Sequence, residues 1–146
     1  MTEEQIQRYA RHILLPDVGG RGQARLLAGS ISIDVAAGAA TEVALAYLAA
    51  AGVGRLVLRG ATADAVTAAD VADGLLLGVG DLGRPRGAAL ADRLVALNPE
   101  VVVDEDDGPT ALELQALPIG GDLADALVVG GRAAAQAVAA LVQGPA

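Results

Sequence analysis

Four groups of residues in this 146-residue chain have types and spacing that could do chemistry. Arg8, Tyr9, Arg11 and His12 share one short helical stretch, and a guanidinium on a rigid helix can stabilise phosphate charge. Gly38 lies between the apolar run Ile31 to Val35 and the Ala/Leu-rich run Thr41 to Ala51. A glycine at a strand-to-helix turn lets backbone N–H groups approach an anion without a Cβ in the way. Asp64, Asp70, Asp73 and Asp81 crowd one segment, as metal ligands do, and Gly130-Gly131-Arg132 has the form of a second phosphate-facing turn. Each group also has a plainer reading. Arg11 is then an exposed helix arginine, Arg8 and Tyr9 pack the helix down, and His12 makes a structural hydrogen bond. One glycine before a helix is commonplace. The aspartates are irregularly spaced and suit a solvated loop better than a metal cage.

The elements that would position these groups follow from periodicity. Thr2 to Gln5 has the form of a capping box, and Ile6, Tyr9, Ala10, Ile13 and Leu14 recur at helical spacing until Pro16 stops the helix. A second short helix is expected at Gln23 to Leu27. Strands are expected at 31–35, 55–58, 101–103 and 126–129, and helices at 41–51, 88–97 and 133–142, with Gly52 and Asn98-Pro99 as stops. The 60–83 segment reads as a long loop with one helical turn. Asp34, inside a strand that should be buried, implies a sheet edge, a partner or a different strand phase. Alternating strands and helices imply right-handed βαβ units: a Rossmann-like α/β domain with a mainly parallel sheet, residues 1–29 forming N-terminal helices and 30–146 the core.

Composition excludes several functions. The net charge of −8 argues against nucleic acid or an anionic membrane as partner, because phosphate neutralisation needs clustered cations. The absence of Cys excludes disulfides, zinc-thiolate sites and cysteine nucleophiles. Aromatics are 1% of a chain that is 53% hydrophobic, so the core must be built from Ala, Val, Leu and Ile. No apolar run reads as long enough to span a membrane, and the polar start Thr2-Glu3-Glu4-Gln5 is unlike a signal peptide. The expectation is a cytoplasmic protein without membrane contact.

Arg8-Tyr9-Ala10-Arg11-His12-Ile13-Leu14-Leu15-Pro16, with Val18-Gly19 and Gly22-Gln23 after it, resembles the opening of the ThiF/MoeB/ubiquitin-activating enzyme family. Tyr47-Leu48-Ala49-Ala50-Ala51-Gly52-Val53-Gly54, Gly83-Arg84-Pro85-Arg86 and Leu97-Asn98-Pro99-Glu100 continue the likeness in order. That family adenylates the C-terminus of a ubiquitin-like or sulfur-carrier protein with ATP and magnesium. The resemblance puts its G-x-G-G-x-G loop on residues 36–41, where Ala36, Ala39 and Thr41 replace glycines and only Gly38 remains. It puts the ribose-binding acid on Gly60, its later Asp partner near Thr62, an ATP-binding arginine on Asp73, the lysine after Gly-x-Pro on Arg86 and the metal-binding aspartate on Arg132. Glu42 falls at the start of the following helix, where a carboxylate satisfies the dipole from within and repels an incoming anion.

These departures imply a degenerate N-terminal half of the family fold. Gly38 and Arg86 are read as vestigial nucleotide-binding residues, with no metal site and no cofactor bound in cis. Arg11 matches the arginine that the family inserts into the other subunit's ATP site, and is read as an arginine finger acting in trans. The expected role is a non-catalytic partner, in a homodimer or in a heterodimer with a full-length ThiF/MoeB-like enzyme, reaching the carrier protein through that enzyme. Two alternatives stand beside it: an active adenylyltransferase with an atypical site, and a module binding another nucleotide-type ligand.

Overall fold

The computed structural model describes residues 1–35, 38–105, 108–118 and 121–144. Ala36 and Ala37 of the glycine-loop segment lie outside them. Four strands, β1 (Ser30–Val35), β2 (Arg55–Gly60), β3 (Val102–Asp104) and β4 (Leu112–Leu114), pair in parallel in the order β3-β2-β1-β4. Helices α1 (Glu3–Arg8), α2 (Ala10–Ile13) and α3 (Gly19–Ala28) precede the sheet. Helices α4 (Ala39–Ala51), α5 (Ala68–Asp73), α6 (Arg86–Leu97) and α7 (Leu123–Gln143) follow or connect its strands. This is a Rossmann-like α/β fold.

The core is aliphatic, as the composition requires. Ile31, Ile33, Leu45, Leu48, Leu56 and Leu58 are wholly buried where β1, β2 and α4 meet. The Thr2 capping box forms, but the N-terminal helix breaks at Tyr9, whose φ of −102° and ψ of 17° separate α1 from α2. Gly52 takes a left-handed φ of 89° and closes α4, as its sequence position implies. The 60–83 segment is more ordered than a loop: α5 lies within it, flanked by two single 3₁₀ turns.

The C-terminal third departs from the sequence reading. Residues 126–129 are not a strand, and Gly130-Gly131-Arg132 is not a turn; all lie inside α7. The fourth strand is β4, whose three residues pair with Ile31, Ser32 and Ile33. Ala-Leu-Val-Val suits a buried strand and a buried helix equally, and here the Asp122 side chain caps the helix by accepting from Asp125 N–H at 2.9 Å. The residues after the last strand are therefore Gln115 to Pro118, and Arg132 does not follow a strand. α7 is also 21 residues long with a window hydropathy of 1.4, so by length and composition alone it could cross a membrane. A third of that window is buried, mostly against α4, where a Cβ on Gly130 would lie 2.2 Å from the Ala40 carbonyl oxygen. Beside Gly131 the nearest atom to such a Cβ is a Tyr47 carbon at 3.9 Å.

The two adjacent glycines should therefore respond oppositely to one methyl. Gly130→Ala is expected to destabilise by about 2 kcal/mol or more by forcing α7 off α4. Gly131→Ala is expected to be neutral or to stabilise by up to about 1 kcal/mol through helix propensity. Urea unfolding followed by circular dichroism distinguishes the two; equal effects would contradict the packing.

Candidate functional site

The strand order reverses between β1 and β4, and parallel α/β folds bind ligands outside the C-terminal strand ends at such a reversal. A cavity of about 410 Å³ lies on that side of the sheet, between the start of α4, α5 and the start of α7. Gly38 forms its lip as the N-cap of α4, with φ 123°, a conformation that L-residues rarely adopt. The side chains around it are acidic: Asp70, Asp73 and Asp122 line it, and no cation does so among the described residues.

Arg86 reaches this region but is already engaged. It is buried at the start of α6, and its Nη2 donates to both Asp70 oxygens at 3.0 Å. The exposed Asp64 carboxylate lies 3.8 Å from Nη1. Asp70 in turn closes the capping box of α5, accepting from the Thr67 N–H and hydroxyl at 2.8 Å. Burial favours its neutral form, yet the two Thr67 bonds and the Arg86 guanidinium outweigh burial and hold the carboxyl below its ordinary value.

Glu42 lies at the helix start, as expected, but it is turned into the fold. It is buried, and its Oε2 accepts the backbone N–H groups of Leu75 at 2.6 Å, of Leu76, and of Leu77 at 3.4 Å. Three successive amides around one anion form a nest, filled here by a side chain of the same chain. Gly74 must lack a side chain, because a Cβ there would lie 2.7 Å from Glu42 Oε1. Gly60, the position matched to the ribose acid, has φ 79° and lies under Asp34; a Cβ would sit 2.0 Å from Asp34 Oδ1. Asp34 is exposed, one residue beyond the end of the β4 pairing at Ile33, although the following Val35 is buried.

Arg11 belongs to the opposite end of the molecule. It is exposed on α2, which packs against α3, while Tyr9 at the start of α2 reaches the C-terminal ends of α4 and α6. Asn98 Nδ2 donates to the Tyr9 hydroxyl at 2.9 Å and to the Ala49 carbonyl at 2.8 Å. Gln23 Nε2 donates to the Ala51 carbonyl at 3.0 Å, which turns its Oε1 to His12 Nδ1 at 3.1 Å. The structural hydrogen bond expected of His12 is present. Gly38 and Gly52 cap opposite ends of α4, whose 13 residues span about 20 Å. Arg11 and the cavity of its own chain are separated by that length. Asp122 was missed as a cavity-lining carboxylate. Asp122 had a legible signal, an N-cap residue ahead of an apolar run, hidden by the misassigned strand.

Residues 9–115 match the ThiF family model, and the chain belongs to that family. It is 35% identical over 103 residues to a probable adenylyltransferase/sulfurtransferase MoeZ of Mycobacterium tuberculosis, covering 70% of this chain and 26% of that protein. It is 39% identical over 101 residues to the sulfur carrier protein ThiS adenylyltransferase of Escherichia coli, covering 69% of this chain and 39% of that protein. The chain thus spans between a quarter and two-fifths of the length of these relatives. Among solved structures, the Escherichia coli tRNA N6-threonylcarbamoyladenosine dehydratase TcdA in complex with ATP superposes with a TM-score of 0.68 at 18% identity. That match covers 90% of this chain and 57% of the TcdA chain, and it supports the fold alone.

The Asp70–Arg86 pair gives a pH signature. A depressed carboxyl contributes stability that is complete above its unfolded value near 4 and is lost as pH falls through the lower folded value. Asp81 behaves in the same way, held low by the Gly78 N–H and Arg93 against its burial. Asp70→Asn should flatten the acid limb of a stability-versus-pH curve below about pH 4. At pH 7 it should cost about 3 kcal/mol, because Arg86 is left buried without its anion. An unchanged acid limb in urea midpoints would contradict the pairing.

Proposed function

We propose that this domain is a non-catalytic ThiF-type partner, which docks on an active adenylating enzyme or on another copy of itself and presents Arg11 to a nucleotide held by the other subunit. The observation that carries the reading is that the groups in and beside its own cavity are either spent within the fold or acidic. Glu42 fills the amide nest at 75–77, Asp70 takes Arg86, and Asp73 and Asp122 bring only negative charge to the walls. An ATP triphosphate needs amides and cations at that place. The residues present do not suit it, and no step through ATP or magnesium is assigned to this chain.

The position of Arg11 supports the second half of the reading. It stands a helix length from the cavity of its own chain, on a segment clamped by Tyr9, Asn98 and Gln23, and its side chain is exposed. A guanidinium so placed can reach a phosphate only across an interface. The substrate of the assembled pair is then the C-terminus of a ubiquitin-like or sulfur-carrier protein; the name of one relative, the sulfur carrier protein ThiS adenylyltransferase, gives a sulfur carrier as what that relative adenylates. The assembly is placed in the cytoplasm.

Pyrophosphate exchange is the test, with a full-length ThiF-type adenylyltransferase of the same host as the active subunit. The chain alone is expected to give no exchange. Added to the enzyme, it should support exchange that falls about 10-fold or more in Arg11→Ala, about 1.4 kcal/mol of transition-state stabilisation. The exposed site should leave stability within about 0.5 kcal/mol. Exchange by the chain alone would favour an active enzyme with an atypical site. Equal exchange with wild type and Arg11→Ala would remove the in-trans role.

A further inference from the structure

The segment that carries Arg11 cannot hold itself. Helix α2 has four residues, no buried side chain and no side-chain cap. A single helical turn is marginal in water, because nucleation fixes several residues for one hydrogen bond. α1 ends at Tyr9, whose φ of −102° and ψ of 17° break the helix, so α2 does not inherit its direction. The placement of Arg11 therefore comes from the residues that bracket it. Tyr9, two positions before, is buried, and His12 follows directly and is half-buried.

Each bracket is held by a buried side-chain amide, and both amides are fixed on the last turn of α4. Asn98 Nδ2 donates one hydrogen to the Tyr9 hydroxyl at 2.9 Å and the other to the Ala49 carbonyl at 2.8 Å. Its Oδ1 accepts the Glu100 N–H at 3.2 Å, so both ends of the amide are engaged. Gln23 Nε2 donates to the Ala51 carbonyl at 3.0 Å, and its Oε1 meets His12 Nδ1 at 3.1 Å. A helix end leaves such carbonyls without an intrahelical donor, which makes them anchors of fixed position. Burial raises the Tyr9 phenol above its ordinary value and keeps the hydroxyl neutral. Gly52 is bare where the two arms meet: a Cβ there would lie 2.7 Å from the Tyr9 ring and from Gln23 Nε2. None of the three residues lines the acidic cavity. Apolar packing of the Tyr9 ring would keep the segment on the domain without these bonds. Directional bonds on both sides of Arg11 also fix its rotation about the end of α4.

We propose that Asn98 and Gln23 are positioning residues for Arg11. Two buried amides, each seated on a carbonyl of the last turn of α4, hold the residues on either side of Arg11 and set the direction in which its guanidinium is presented. This rests on the in-trans role of Arg11 proposed above and names what makes that role sterically exact. A displacement of about 1 Å at a charge-stabilising group is enough to slow a reaction strongly, so loosening either amide should be felt at the phosphate.

The test is pyrophosphate exchange by the full-length adenylyltransferase with Asn98→Ala, Gln23→Ala and Tyr9→Phe chains, each made alone and on Arg11→Ala. Asn98→Ala and Gln23→Ala should each lower the exchange rate at saturating chain about fivefold, with the half-saturating chain concentration within about twofold of wild type. On Arg11→Ala neither should slow exchange further by more than about 1.5-fold, because a residue acting through Arg11 has nothing left to position. Tyr9→Phe keeps the ring in its socket and removes only the hydroxyl, so it decides the matter if loss of a buried amide unfolds the chain. It should slow exchange about threefold, again only where Arg11 is present. Slowing of equal size in both backgrounds would overturn the proposal by making the amides merely structural. Variants indistinguishable from wild type, beside a slow Arg11→Ala, would also overturn it and leave the in-trans role standing. Equal exchange by wild type and Arg11→Ala would remove that role and the positioning with it.

Discussion

One buried carboxylate organises the cavity side of this domain. Glu42, in the first turns of α4, accepts three consecutive backbone N–H groups from Leu75, Leu76 and Leu77. Those amides would otherwise be buried or half-buried donors without partners, each costing about 1–3 kcal/mol. The carboxylate gains from the amides and from the helix N-terminus together. The consequence is a fixed path for the segment between α5 and α6. Gly74 must be bare to let the carboxylate in, and α5 is held over the cavity with Asp70 and Asp73 on its wall. Asp70 then takes Arg86, so that guanidinium is spent within the fold rather than left for a ligand, while Asp73 and Asp122 keep the wall acidic.

α4 connects this end to a second one. Its N-terminus is set by the positive φ of Gly38 and its C-terminus by that of Gly52. A Cβ at Gly52 would meet the Tyr9 ring and the Gln23 amide at 2.7 Å, which makes the bare glycine the socket for the N-terminal segment. Tyr9, Asn98 and Gln23 fix α2 there, and with it Arg11. The domain therefore separates two properties along one helix: an acidic cavity at one end and an exposed, rigidly mounted guanidinium at the other. α7 is laid along α4 through Gly130.

Much of this was legible in the sequence where the signals were local. Ile31 to Val35, Arg55 to Leu58 and the two-glycine bracket of α4 gave the parallel core and its order of elements. The segment around Tyr9 gave the family, which the match over residues 9–115 bears out. The failures have physical causes. β4 is a three-residue edge strand containing Glu113, too short and too polar to stand out, and it exists only because β1 offers an edge. α7 was divided because a run of Ala, Leu and Val has no period that separates strand from helix. Glu42 was placed correctly at the helix start, but its partners lie 33 to 35 residues away, and nothing in the intervening residues announces them. The same holds for Arg86: its position was read from the family pattern, whereas Asp70 as its partner is a property of the fold.

In the proposed reading, the cavity of this chain has no capacity left for a nucleotide triphosphate. Calorimetric titration of the wild-type domain with Mg-ATP measures it directly. The account predicts no binding tighter than about 100 μM, some 5.5 kcal/mol. Saturable binding below that concentration, abolished by Gly38→Val, would place ATP in the cavity after all and contradict the account.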